Sequence, residues 1–124
     1  DGKGKVVGIY GWLTGCMPGR AERPYFDRLA ETLKDRPVQF LCVSLDTGDQ
    51  LRARWKKMVS EKDGKSPVLN LNLPGGFRSD FTARMNIRSV PRVVLVDKDG
   101  RIVDAYAKRP SDPKLKLQLE KLMK

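Results

Sequence analysis

Histidine is absent from this sequence of 124 residues, and cysteine occurs only as Cys16 and Cys42. The lack of histidine excludes Ser-His and Cys-His catalysis and every metal site that needs an imidazole ligand. Two cysteines are too few for a zinc site made of thiolates, so we expect neither a metal nor another cofactor. No apolar run approaches the roughly 20 residues that span a bilayer, so we expect no membrane insertion by this domain.

Acidic residues are the minority among the charged side chains. The chain has 25 Lys and Arg against 15 Asp and Glu, which gives a net charge of +10. The densest basic cluster, LRARWKK, places Arg52 and Lys56 four residues apart on one side of a predicted helix. We interpret it as a solvated face and expect no nucleic-acid partner. Single-strand recognition usually adds exposed aromatic side chains, and here the aromatics fall mostly on apolar stripes.

Alternating apolar and turn-forming segments predict one α/β domain over residues 1–124. KVVGIYGWL is typical of a buried strand, and PVQFLCVSLD is apolar in both alternations, as in a strand covered on both faces. A helix between them makes a βαβ unit, which requires parallel pairing. SVPRVVLVDKDGRIV indicates two strands joined by a tight turn. The predicted order β-α-β-α-(short strand)-α-β-β-α fits a central mixed sheet with helices on both faces.

Helical spacing predicts which side chains of each helix point inward. Pro18 suits the first turn of the first helix, and Ser111 or Asp112 can cap the last one. The side chains expected to face inward are Ala21, Tyr25, Leu29 and Leu33, then Leu51, Trp55, Met58 and Val59, then Phe77, Phe81 and Met85, and finally Leu115, Leu119 and Leu122.

The segment TGCMPGR places Cys16 at a loop-to-helix junction directly after the first strand. The unpaired N–H groups and the dipole of the helix favour a thiolate there. Arg20, one turn on, adds positive charge, whereas Glu22 opposes thiolate formation if it lies close. Cys42 lies inside the second strand, and we interpret it as a small core hydrophobe and not as a reactive thiol.

The stretch GKVVGIYGWLTGCMPGRAERP resembles the active-site segment of TlpA/ResA-like thioredoxin-fold proteins. That family typically has a strand, then W-x-x-W-C-x-x-C, then a helix with Glu and Pro. Matching positions here hold Trp12, Cys16, Pro18, Glu22 and Pro24. SVPRVVLVDKDGRIV resembles the family's later run of cis-proline, strand, turn and strand. The similarity extends from residue 5 to residue 122 and implies a thioredoxin-like fold.

The resemblance also implies roles for individual residues. Cys16 would be the nucleophile, with Glu22 handling protons beside it; the alternative for Glu22 is a first-turn acid that favours the helix dipole. Pro91 would be the family's cis-proline, which shapes the loop beside the thiol and keeps the substrate backbone extended. Arg92 would either pair with an acidic group or guard the thiol. The expected substrate-binding residues are Trp12, Met17, Pro18, Val90, Pro91 and Arg92, although Trp12 also fits a core aromatic.

Two positions depart from the family pattern. Gly15 stands where the family usually has Trp, and Gly19 stands where it has the second, resolving Cys. In a dithiol enzyme that second thiolate breaks the mixed disulfide formed by the first. An external thiol at millimolar concentration competes poorly with an intramolecular group whose effective molarity is ~10⁵ M or more. We therefore expect at most single-thiol chemistry at Cys16, with protein or small-molecule thiols and disulfides as partners.

Two alternatives remain open at this point. In one, the groove between Cys16 and Pro91 binds extended peptide and the thiol is incidental; alkylation of Cys16 followed against pH separates this from thiol chemistry. The other, thiol peroxidase chemistry, is disfavoured because Leu13 stands where such sites usually have Thr or Ser. The family usually works outside the bacterial cytoplasm, which implies a periplasmic location or a membrane anchor facing the periplasm. The start at Asp1 and the lack of an N-terminal hairpin lead us to expect a domain excised from a longer protein.

Overall fold

A five-stranded sheet forms the centre of the computed structural model, which describes residues 4–61 and 65–124. The strands are β1 (Val6–Trp12), β2 (Val38–Ser44), β3 (Val68–Asn72), β4 (Arg92–Val96) and β5 (Ile102–Asp104), and the helices are α1 (Met17–Thr32), α2 (Asp49–Ser60), α3 (Asp80–Arg84) and α4 (Pro113–Leu122). A 3₁₀ turn covers Gly76–Arg78. In the described ranges, no helix is both long and apolar enough to cross a membrane.

The strand order is β3-β2-β1-β4-β5, and the sheet is mixed as predicted. β1 and β2 pair in parallel, as do β2 and β3, whereas β4 is antiparallel to both β1 and β5. The carboxyl ends of β1, β2 and β3 therefore meet the amino end of β4 at one end of the sheet. We call this the site end, because the loop that carries Cys16 leaves β1 there.

Each face of the sheet carries its own hydrophobic core. One core combines strand residues such as Tyr10 and Phe40 with Phe26 and Leu29 of α1 and Leu115 of α4. The opposite core is smaller, and its members are Ile9, Val43, Leu45, Ile87 and Val94, with Phe81 and Met85 packed against them. The two cores confirm the α/β thioredoxin-like arrangement with helices on both faces.

Most of the predicted inward positions are correct, and the errors lie in three helices. Leu29, Leu33, Val59, Leu115 and Leu119 are buried. The predictions for four other side chains are wrong: Ala21 and Tyr25 of α1 are exposed, as are Leu51 and Met58 of α2. In α1 the inward face is instead made by Arg23, Phe26 and Ala30. In α2, Val59 is the buried residue, with Trp55 half-buried beside it.

The third helix is shorter than the spacing of Phe77, Phe81 and Met85 predicts. Ser79 interrupts the helical path, and its hydroxyl accepts a hydrogen bond from the Thr82 N–H at 3.3 Å. Phe77 is left on the preceding 3₁₀ turn, where it is exposed. Helix α4 begins as predicted, because Asp112 accepts a hydrogen bond from the Lys114 N–H at 2.9 Å.

Candidate functional site

Cys16 is the N-cap residue of α1 and lies at the site end of the sheet. Its backbone is extended, with φ −96° and ψ 121°, and its carbonyl accepts the first hydrogen bond of the helix from the Arg20 N–H at 3.1 Å. The Cys16 N–H donates to the Leu13 carbonyl at 3.0 Å, which closes the loop after β1 into a tight turn. Pro18 occupies the first helical turn, as predicted. Cys16 is half-buried, and Met17 beside it is 70% exposed.

The buried carboxylate of Asp46 contacts this loop, and no motif in the sequence predicts it. Asp46 is 2% exposed, and one of its oxygens accepts a hydrogen bond from the Thr14 N–H at 3.3 Å. The same oxygen accepts the Ser44 hydroxyl, while Asn72 donates to the Asp46 carbonyl at 3.0 Å. Polar residues at the ends of adjacent parallel strands could have revealed this group, since such ends converge. The strand ends thus fix the position of the loop two residues before Cys16.

Gly19 is the third residue of α1 and is buried, at the position where the family resemblance expects a second cysteine. Its carbonyl accepts a hydrogen bond from the Tyr10 hydroxyl at 2.7 Å, and burial raises the pKa of that hydroxyl well above its ordinary value. A Cβ placed on residue 19 would lie 3.4 Å from the Trp12 Cβ and 3.7 Å from the Leu13 carbonyl oxygen. These are ordinary contact distances, so the backbone has room for a side chain at this position.

Gly15 is covered by the side chain of Arg54 from helix α2. A Cβ on residue 15 would collide with the Arg54 guanidinium, so Arg54 occupies the space that a side chain there would take. The glycine that replaces the family's aromatic residue therefore brings a cation next to the loop of Cys16. Arg20 adds a second exposed cation on the following helical turn.

Glu22 is directed toward the start of α4. Its two carboxylate oxygens accept hydrogen bonds from the Ser111 N–H at 2.9 Å and from the Ser111 hydroxyl at 2.8 Å. Helix α1 starts at Met17 and has no acidic residue in its first turn, so the interpretation of Glu22 as a first-turn acid is wrong. The side chain ties the second turn of α1 to a segment 89 residues later in the chain.

Trp12 belongs to the core and also forms a wall of a cleft beside α1. It is 2% exposed, and the guanidinium of Arg23 lies 4.9 Å from the centre of its ring. Arg23 is itself buried, and it donates to Asp27 and to Asn70, each at 2.8 Å. The cleft measures about 150 Å³, and Arg20, Pro24 and Met58 contribute to its walls.

Residues 90–92 lie next to the end of β1. Arg92 pairs with Gly11 in the sheet, and a Cβ on Gly11 would lie 4.0 Å from the Val90 side chain. The Val90–Pro91 peptide bond is cis. The structure thus brings Trp12, the Cys16 loop and residues 90–92 together at the site end, while the carboxylate of Glu22 bonds to Ser111 on another side of α1.

Arg92 is a buried cation that forms no ion pair with the acids of the described ranges. It is 7% exposed, and it donates to the carbonyls of Asn86 at 3.2 Å and Met85 at 3.3 Å. Its guanidinium carbon lies 4.0 Å from the centre of the Tyr106 ring. The expectation that Arg92 pairs with an acidic group is therefore wrong for the described residues, since the ion pairs found there are Arg23–Asp27 and Lys34–Glu31.

A larger cleft opens beside Pro91. It measures about 370 Å³ and is lined by residues 91–93 and 106–110, together with Tyr10 and Asp112. We call it the Pro91 cleft. Tyr10, which contributes to its lining, donates its hydroxyl to the Gly19 carbonyl in the first turn of α1.

Cys42 lies in β2, with no exposed surface. Burial raises the pKa of its thiol to about 12. Both cysteines are free, so no disulfide joins them.

Comparisons with known proteins place this chain among redox proteins. The profile of the Redoxin family matches residues 1–119. The thiol-disulfide oxidoreductase ResA of Bacillus cereus is 29% identical over 122 residues, which is 98% of this chain and 66% of ResA. The thioredoxin-like protein YneN of Bacillus subtilis is 26% identical over 106 residues, or 86% of this chain and 58% of YneN. The chain thus spans just under two thirds of the ResA sequence and 58% of the YneN sequence.

Solved structures give the same assignment. A candidate thiol-disulfide oxidoreductase from Bacteroides vulgatus is 30% identical with a TM-score of 0.79, and the match covers 98% of this chain and 81% of that one. The thioredoxin domain of a thiol-disulfide oxidoreductase from the same organism is 29% identical with a TM-score of 0.75, over 100% of this chain and 83% of that one. With the family profile matching nearly the whole chain, this chain belongs to the Redoxin family and, within it, to the TlpA/ResA-like thioredoxin-fold proteins.

Proposed function

We propose that this domain performs thiol–disulfide exchange with a single thiol. The Cys16 thiolate attacks a disulfide R–S–S–R′, a new Cys16–S–S–R bond forms, and R′–S⁻ leaves with the electron pair of the broken bond. A thiolate from outside the domain then attacks the mixed disulfide, which releases Cys16 and forms a disulfide with R. One observation carries the proposal: Cys16 caps α1 at the site end, and residue 19 behind it is a glycine.

Cys42 is a poor substitute for the missing second sulfur. It has no exposed surface, and a thiol whose pKa is about 12 contains almost no thiolate at neutral pH. Resolution therefore requires a thiol from a partner protein or a small molecule, and its rate depends on the concentration of that thiol.

The substrate-binding region in this proposal comprises Met17, Pro18, Val90 and Pro91, which are exposed or half-buried, and also the buried Trp12 and Arg92. The exposed Met17 and Pro18 flank the thiol on the helix side. Residues 90–92 lie at the amino end of β4, where Arg92 pairs with Gly11 near the end of β1. The domain would act outside the cytoplasm of a bacterium, in the periplasm or from a membrane anchor, as the family resemblance implies; labelling of Cys16 in intact cells by a membrane-impermeant maleimide tests this.

Glu22 takes a different role in this proposal from the proton handling that the family resemblance implies. Both carboxylate oxygens are engaged by Ser111, so a proton-handling role at Cys16 would require Glu22 to leave those hydrogen bonds. We assign Glu22 as a positioning residue that holds α1 against the start of α4.

The substitution Gly19→Cys tests the proposed function. The chain as it stands should reduce the disulfides of insulin at a rate near background in the presence of dithiothreitol. Gly19→Cys should raise that rate by at least about tenfold, because an internal thiol acts at a far higher effective concentration than an external one. The spacing around residue 19 leaves room for the new Cβ.

Gly19→Ser is the matched control, since it adds a side chain of similar size without sulfur, and it should leave the insulin rate near background. Cys16→Ser combined with Gly19→Cys should also be inactive. A folded Gly19→Cys protein with no gain in rate would contradict the proposal. Such a result, with Cys16 unreactive toward disulfides, would favour the peptide-binding alternative.

A further inference from the structure

The charge distribution in the Pro91 cleft is not explained by thiol exchange alone. Three cationic residues line the cleft, Arg92, Lys108 and Arg109, against one acidic residue, Asp112. One oxygen of Asp112 is engaged by the Lys114 N–H as the cap of α4. The cleft therefore carries an excess of positive charge beside Pro91.

Arg92 is the strongest indication that this charge has a partner outside the described residues. A guanidinium that is 7% exposed is expensive to bury, and buried arginines normally face a carboxylate. Here Arg92 faces two backbone carbonyls and the Tyr106 ring, and its Nε atom has no hydrogen-bond partner in residues 4–61 and 65–124. These neighbours orient the group, but they supply no net negative charge to balance it.

Lys108 and Arg109 extend the positive charge from the buried guanidinium to solvent. Both side chains are exposed, and neither joins an ion pair with a described acid. Tyr106 lines the same cleft; it is 73% exposed although one face of its ring rests on Arg92. An anion entering the cleft would meet cations at the mouth and at the wall, with an aromatic ring beside them.

We propose that the Pro91 cleft binds a carboxylate carried by the disulfide substrate, close to the sulfur that Cys16 attacks. This inference rests on the proposed function, since it names the substrate class of the same site. The cleft contains Pro91 itself, and its Arg92 pairs with Gly11 one residue before the end of β1. A substrate whose sulfur reaches Cys16 therefore lies alongside the cleft. The carboxylate can belong to an acidic side chain of a peptide or to a small mercaptocarboxylic acid.

Three small disulfides with two-carbon arms provide the first test. Dithiodipropionate is anionic, bis(2-hydroxyethyl) disulfide is neutral and cystamine is cationic. The rate of mixed-disulfide formation at Cys16 is followed by mass spectrometry. Dithiodipropionate should react roughly tenfold faster than the neutral disulfide at low ionic strength, and cystamine more slowly than either.

Lys108→Gln combined with Arg109→Gln should lower the ratio of the anionic to the neutral rate by about fivefold, while the neutral rate stays unchanged. The matched control removes two charges elsewhere, by Lys5→Gln at the opposite end of β1 and Lys121→Gln in the last turn of α4. It should change the ratio by less than about twofold, because screening weakens distant charges. If both double variants lower this rate ratio equally, the inference is overturned, and the preference is due to the net charge of the protein.

Peptide disulfides distinguish the two sources of the carboxylate. Two homodimeric peptides differ by Glu or Gln two residues from the cysteine. Faster reaction of the Glu peptide assigns the cleft to acidic peptide segments. A preference confined to dithiodipropionate assigns it to small mercaptocarboxylic acids, and no preference in either series overturns the inference.

An equilibrium measurement keeps the inference testable if Cys16 does not react. Cys16→Ser protein is titrated with the Glu and Gln peptides in which serine replaces cysteine, and with propionate. Binding of the Glu peptide or of propionate that weakens in the Lys108→Gln, Arg109→Gln background supports the carboxylate site without any exchange chemistry. Failure of the neutral disulfide to react with native Cys16 would contradict the proposed function alone. Equal binding of all ligands would contradict carboxylate binding in the Pro91 cleft.

Discussion

Cys42 has a chemical environment opposite to that of Cys16, although both are cysteines of one small domain. Cys42 is surrounded by the core in β2, whereas Cys16 lies at a helix start at the site end of the sheet. The thiol of Cys42 therefore stays protonated in the native state to about pH 12, while the same thiol in the unfolded chain ionises near pH 9. The difference connects the stability of the fold to pH.

At alkaline pH the domain should lose stability through Cys42. Between about pH 9 and pH 12 the unfolded state releases a proton that the native state keeps, so the free energy of unfolding falls as the pH rises. The loss should be about 1 kcal/mol at pH 10. Urea titrations of the native chain and of Cys42→Val at several pH values measure this loss. The difference between the two free energies of unfolding should change by that amount between neutral pH and pH 10. Parallel curves would show that Cys42 is not the group responsible.

The contacts of individual residues explain which parts of the site could be predicted. Cys16 as a helix cap and Pro18 in the first turn follow from local sequence, because capping and proline geometry involve only neighbouring residues. The partner of Glu22 lies 89 residues away, and the Arg23–Asn70 bond spans 47 residues. Pairs at such separations leave no periodic pattern in a single sequence. The buried Asp46 also has distant partners, Thr14 and Asn72, and only the convergence of the strand ends could have indicated them.

At the level of whole elements, the strands were easier to predict than the faces of the helices. β1, β2 and the β4–β5 hairpin follow from runs of apolar residues bounded by turn residues. In α1, Leu29 and Leu33 of the predicted stripe are buried, whereas Ala21 and Tyr25 are exposed because Arg23 and Phe26 take the inward positions nearer the start of the helix. An arginine in the core cannot be recognised from apolar spacing, so the first half of the stripe was placed wrongly.

Glu22 of α1 accepts hydrogen bonds from Ser111, which lies just before α4. The contributions of the two residues to stability should therefore be thermodynamically coupled. Glu22→Gln and Ser111→Ala should each lower the free energy of unfolding by about 1 kcal/mol, and the double variant should cost less than the sum. Glu31→Gln is the control, since its exposed pair with Lys34 should contribute little. Denaturant unfolding of the four proteins measures the coupling, and strict additivity would contradict it.

The same two variants separate positioning by Glu22 from proton handling. If Glu22 acts only through Ser111, both substitutions should alter the alkylation rate of Cys16 by the same factor at every pH. If Glu22 exchanges a proton at the thiol, Glu22→Gln should change the shape of the pH profile while Ser111→Ala should not. The first outcome is the one expected here.

For the whole molecule, the excess of positive charge attracts anionic ligands and also destabilises the folded state by repulsion. The net charge is +10, and the ion pairs found in the described ranges are Arg23–Asp27 and Lys34–Glu31. Folding into a compact state brings this excess of like charges closer together than it is in the unfolded chain. Such repulsion destabilises a folded protein, and dissolved salt screens it.

Raising the ionic strength from 10 to 150 mM should therefore stabilise the domain, by about 1 kcal/mol at pH 7. Urea unfolding in sodium chloride and in potassium chloride at equal ionic strength measures this, because urea adds no charge and agreement between the salts excludes a specific ion effect. Lys56→Gln with Lys57→Gln, on the exposed basic side of α2, should raise stability at low salt and reduce the gain on adding salt. A double variant with an unchanged salt response would mean that this basic cluster does not repel its neighbours.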